Sequence, residues 1–173
     1  SAPQNSIVLS TQWDFWLSAS MYFQYVEGIR KDLVVIDKEL LRKSWYIPFI
    51  KMHYPEVYEN SRGEFEVYYN ELLKFEKFPD RYTKPTTESD RQDLMKIQTY
   101  FKELLTSFVE KNPNRNFFTT FEIESAKAES FANNYMKIPQ GLLVRYMKSA
   151  AEYDNYAMPN FSFQISKQTD YYH

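Results

Sequence analysis

The chain has 173 residues, enough for one well-buried domain and too short for two comfortable ones. Its net charge of −2 supplies none of the positive field that nucleic-acid binding needs, so no nucleic-acid partner is expected. The absence of cysteine excludes disulfides, thiolate metal sites and cysteine nucleophiles together.

Ile7-Val8-Leu9 reads as an apolar strand that breaks at Ser10-Thr11. Thr11 with Asp14 three residues on resembles a capping box and opens a helix. Phe15, Ala19, Tyr22, Val26 and Ile29 recur at helical spacing as its apolar stripe, and Gly28 fits a C-cap. Leu33-Val34-Val35-Ile36 is a second strand, broken at Asp37. Pro48 is tolerable only in a first turn, so the next helix starts near Ser44 and ends at Pro55. Ser61 to Glu64 spells a second capping box ahead of a stripe of Phe65, Tyr68, Leu72 and Phe75. Residues 78–87, with Pro79 and Pro85, read as a loop, and a long helix follows from about Ser89 to Glu110 until Asn112-Pro113-Asn114 stops it. Phe117 to Ile123 reads as a strand and Ala126 to Tyr135 as a short helix; Gly141–Met147 and Phe161–Ile165 are further strands.

Two apolar strands around an amphipathic helix form a βαβ unit, which predicts an α/β fold. The expected architecture is a three-layer Rossmann-like domain, 1–173, with a small, mostly parallel sheet and a large helical insertion between strands 2 and 3. A chain that opens Ser1-Ala2-Pro3 and reaches a strand within six residues reads as excised from a larger protein, with Ser1, alone or with Ala2, as a tag remnant.

The block from Ser6 to Ile47 resembles a family of polytopic bacterial membrane proteins. Their membrane half is glycosyltransferase-C-like, similar to that of protein O-mannosyltransferases. The residues that carry the likeness are Ile7-Val8-Leu9-Ser10, Asp14, Tyr22, Gln24, Val26 to Arg30, Asp32, Val34-Val35-Ile36, Leu40-Leu41 and Trp45-Tyr46-Ile47. Downstream, Arg115-Asn116-Phe117-Phe118 and Gly141 to Tyr146 resemble two further stretches of that family. Departures fall at the strand ends: Thr11-Gln12-Trp13-Asp14 stands where the family has Asn-Gly-Asp, Asp37 where it has Asn, and Asn116 where it has Pro.

The resemblance implies a domain on the extracytoplasmic, periplasmic face of the inner membrane of an envelope protein, partnered by the membrane half of its own parent chain. The catalytic acid of such enzymes lies on a loop of the membrane half, so none is expected in this chain.

Open α/β sheets bind ligands beyond the carboxyl ends of their strands. Asp14, Asp37, Glu39 and Glu124 fall at or just after strand ends, with Trp13, Trp16 and Trp45 near in sequence. Carboxylates beside indole rings suit a saccharide, and the candidate ligand-binding residues are Thr11, Gln12, Trp13, Asp14, Asp37, Glu39 and Trp45. Helix capping, a strand-end turn and rim packing account for the same residues without a ligand.

His53 and His173 lie far apart, so no metal site is expected. Three glycines cannot build a dinucleotide fingerprint or a P-loop, and no cofactor is expected. The expected function is a non-catalytic accessory domain contacting a saccharide, lipid-linked sugar or protein acceptor. The alternatives are a small carbohydrate-active enzyme using the acidic rim and a pure protein-interaction module.

Overall fold

The computed structural model describes residues 2–126, 129–154 and 156. β1 (Ser6–Ser10) is buried along its whole length, as a central strand of a sheet covered on both faces must be. It pairs in parallel with β2 (Val34–Asp37) on one side and β3 (Asn116–Thr120) on the other. β5 (Leu143–Met147) continues antiparallel to β3, and β4 (Met136–Gln140) pairs antiparallel with β5 at the edge. The strand order is β2-β1-β3-β5-β4. The sheet expected to be mostly parallel is therefore parallel in one half and antiparallel in the other.

β4 is absent from the sequence reading because Pro139 lacks a ladder donor and argues against a strand. An edge position tolerates it. Gly141, at φ 65° in the two-residue link to β5, supplies the positive φ of a tight hairpin turn. The strand expected at Phe161–Ile165 lies outside the described residues.

Helix α1 joins β1 to β2 in three consecutive pieces: π-helical over Trp13–Leu17, α-helical over Ser18–Met21 and π-helical over Tyr22–Val26. The Gln12 carbonyl accepts from both Trp16 N and Leu17 N, which widens the first turn. Gly28 takes φ 70° and ends the helix as expected. The stripe does not point inward: Tyr22, Val26 and Ile29 are exposed, while Leu17 and Gln24 are buried. Aromatic and aliphatic residues surround this helix, so its apolar period does not choose a face. Gln24 decides it, because its amide donates to the carbonyls of Arg30 and Leu33 and straps the helix to the turn into β2.

Between β2 and β3 come α2 (Tyr46–His53), α3 (Pro55–Asn60), α4 (Arg62–Lys77), α5 (Pro79–Thr83) and α6 (Glu88–Glu110). The expected loop at 78–87 thus contains a helical turn, held because Tyr82 is buried and donates to Glu71 Oε1 at 2.8 Å. The capping box sits at Thr87, where Thr87 Oγ1 accepts from Asp90 N and Asp90 Oδ2 accepts from Thr87 N. Ser61 makes no such bond: at ψ 22° its backbone is not extended, and the hydroxyl does not reach the next turn.

The main core lies between one sheet face and these helices, joining Ile7, Leu9, Ile36 and Phe117 to Tyr46, Phe65, Tyr68, Phe101 and Phe108. A smaller cluster of Ala2, Val8, Phe118 and Leu143 covers the opposite face, with Trp16 of α1 and Leu33 packed on it. Helices on both faces make three layers.

Candidate functional site

The chain runs from β1 to β2 on one side and returns to β3 on the other, so the carboxyl ends of β1 and β3 flank a point where the topology reverses. Such points are where open sheets bind ligands. Gln12, after β1, bridges this point by donating to Glu122 Oε1 at 2.5 Å, just past β3.

Asp37 ends β2 and is 4% exposed. Its Oδ1 accepts from Glu39 N at 2.8 Å and Leu40 N at 3.0 Å, capping the turn that follows. Burial pushes its carboxyl up, and the two N–H bonds partly oppose that. Asp37→Asn keeps the acceptor and removes the desolvated charge, so its unfolding midpoint in urea at pH 7 should equal or exceed the parent's. Asp37→Ala should lose about 1 kcal/mol with the cap. A loss as large in Asn as in Ala would assign the charge, rather than the cap, the structural role.

The other expected residues divide. Thr11 and Asp14 form no capping box: the helix-start position is Gln12, without a side-chain cap bond. Trp13 is 48% and Trp45 60% exposed. Trp45 stands edge-on to Tyr46, whose hydroxyl accepts from Asp37 N, so Trp45, Asp37 and Glu39 belong to one corner. Thr11, Gln12, Trp13 and Asp14 belong to the β1 loop. Among the described residues no hydrogen bond, ion pair or ring contact joins the two groups.

Of two further clusters a sequence reading finds one member each, Glu39 and Glu124, and misses the rest. Lys38 is 3% exposed, and its ammonium meets Glu129 while standing 3.6 Å from Glu39. Arg42 grips the other Glu129 oxygen at 2.7 Å and Glu39 at 3.3 Å, and lies 4.2 Å over the Phe101 ring. Burial alone would raise the Glu129 carboxyl, but the Lys38 hydrogen bond and the Arg42 charge hold it below the usual range.

The second cluster surrounds Glu124, on the helical turn α7 (Phe121–Ser125) after β3. Its Oε1 accepts from Thr119 Oγ1 at 2.8 Å and Tyr146 Oη at 2.6 Å, and its Oε2 from Lys137 Nζ at 2.9 Å. Burial, then the bond to Glu124, raises the Tyr146 hydroxyl. The expected strand through Ile123 stops at Thr120, and of the helix expected at 126–135 the described residues 130–135 are not helical. Ala132 takes φ 47° there, placing Phe131 against Tyr146. These pairings join residues up to 91 positions apart, and no local spacing announces them. Among the described residues no group of three or more acids and histidines is placed to hold a metal ion.

The chain is similar over a third of its length to a protein O-mannosyl-transferase. That protein is TMEM260 of Mus musculus, 36% identical over 58 residues, which are 34% of this chain and 8% of the mouse protein. The chain therefore spans a small part of the relative it matches. No sequence family matches the chain, and no solved structure does. No helix among the described residues is long and apolar enough to cross a membrane.

Proposed function

We propose that the chain is a non-catalytic accessory domain of a glycosyltransferase-type membrane protein. In this reading it stands on the extracytoplasmic face, beside the membrane half of its own parent, and its carboxyl sheet edge meets a saccharide or protein acceptor. The parallel half β2-β1-β3 is then a Rossmann-like core into which the helices of 46–110 are inserted. The partial likeness to a protein O-mannosyl-transferase supports the parentage.

The observation that carries the non-catalytic reading is the engagement of the edge carboxylates. Asp37 caps a turn, Glu39 and Glu129 share Lys38 and Arg42, and Glu124 takes three donors. Glycoside hydrolysis needs two carboxyls flanking the scissile bond, one of them available to give up a proton.

The test has two arms. The isolated chain should leave aryl glycosides intact, and deleting it from the full-length protein should spare membrane insertion while lowering glycosylation of the acceptor. Protease added to spheroplasts should cut it from outside. Hydrolysis by the isolated chain, or a soluble cytoplasmic parent, would sink the proposal.

A further inference from the structure

Beside Glu124 is a cleft of about 150 Å³, past the carboxyl end of β3, lined by Ile123, Glu124, Ser130, Phe131, Lys137 and Tyr146. At roughly 30 Å³ per water, that is room for about five waters. We propose that this cleft binds a single ring of a neutral sugar. The proposal rests on the reading that the sheet's carboxyl edge meets saccharide, and narrows it to these six residues.

The chemistry of the walls selects the ligand. Lys137 has three N–H donors and gives one to Glu124 Oε2. The other two have no acceptor among the described residues. Among the described residues Glu124 Oε2 takes only that one bond and keeps a lone pair, whereas Oε1 is filled by two hydroxyls. Ser130 Oγ accepts from Asn133 Nδ2 at 3.3 Å, and its own O–H has no acceptor among the described residues. A matching ligand must therefore accept from an ammonium, donate to a carboxylate and accept from a hydroxyl within a few ångströms. Neighbouring hydroxyls on one ring do all three.

Charged ligands are disfavoured from both sides. Glu124 repels an anion and Lys137 a cation, and the pair is held in place with side chains 20% and 25% exposed. A purely apolar ligand would strip water from both charges and return no hydrogen bond. The apolar part of the wall is small: Phe131 and Tyr146, 3% and 1% exposed, stack on each other with centroids 5.7 Å apart and 16° between planes, so a sugar ring meets only their rims. The Lys137 ammonium lies 4.7 Å from the Tyr146 centroid, which holds it beside Glu124 and leaves the sugar to be bound by hydrogen bonds rather than by stacking.

The test is titration of the chain with the methyl glycosides of mannose, glucose, galactose and N-acetylglucosamine, followed by heteronuclear NMR. At least one should produce saturable shifts at Lys137, Ser130 and Tyr146. Lys137→Met, which keeps the stem and removes the donors, should weaken it about tenfold or more. Ser130→Ala leaves the ion pair alone and should weaken it several-fold, which serves if Lys137→Met does not fold. No saturable shifts with any glycoside, undiminished binding in both variants, or tighter binding of acetate or methylamine would overturn the site. Binding by a chain whose deletion leaves its parent's transfer unchanged would sink the accessory reading and leave the cleft standing.

Discussion

Phe117→Ala should destabilise the protein by about 3–5 kcal/mol, the largest effect expected of any single truncation. The side chain is fully buried on β3, between parallel β1 and antiparallel β5. Its ring meets Tyr146 edge-on at 5.1 Å and Phe131 edge-on at 6.1 Å, so alanine removes one member of an aromatic triad as well as its own buried area. The cavity would lie where the two halves of the sheet meet, between strands that cannot collapse without losing their ladder. Urea unfolding monitored by far-UV circular dichroism gives the number. A loss under about 1 kcal/mol would mean that the sheet does not pack around this ring.

Glu129→Ala should cost about 1–2 kcal/mol at pH 7, less than removing a partner from a fully buried ion pair because the Glu129 side chain is 43% exposed. Lys38, 3% exposed, would be left with only Glu39, at 3.6 Å, as an ion-pair partner. Adding Lys38→Met should restore most of the stability, since an apolar side chain in that place leaves no ion unpaired.

The pH dependence has a definite sign. The Glu129 carboxyl is held below its unfolded value, so its contribution is present above about pH 4.3 and is lost as pH falls through the folded value. The gap between the parent and Glu129→Ala should therefore shrink as pH is lowered below about 4. Asp37, raised by burial, works in the opposite direction, so the comparison is best made in the Asp37→Asn background. A gap that persists unchanged at low pH would show that packing, not charge, is what Glu129 provides.

What could be read from the sequence depended on how far apart the deciding groups lie. The βαβ unit is legible because its signals fall within one short stretch: apolar runs at 7–9 and 33–36, and a glycine that must turn at 28. The α6 helix is legible because Phe101, Leu104 and Phe108 lie on one face and Asn112 is buried at its end, bonded to the Phe108 carbonyl. The facing of α1 is not, since its rings occur on every side and a single buried amide decides. β4 hides behind Pro139, which only an edge position excuses. At the site, Asp37 and Glu39 were found as a pair, for a turn-capping reason already open to a sequence reader. Lys38 carried no signal, because a lysine after a valine-rich strand reads as solvent-exposed until Glu129 is brought to it from 91 residues away. The Glu124 cleft depends on Lys137 and Tyr146, which enter only through the hairpin.

The central position of β1 has a consequence in time. Ile7 finds Val34 on one edge only 27 residues later, whereas Ser6 must wait for Asn116, 110 residues further along. At roughly 5–20 residues per second of synthesis, that wait is on the order of ten seconds. During it an apolar strand presents an unpaired edge in the nascent chain. Closing so long a loop also places the β1–β3 pairing late, because its entropy must be met before the contact returns anything. β1 gains its second neighbour only after the helices of 46–110, and whatever holds the young chain must shield that edge until they have been made.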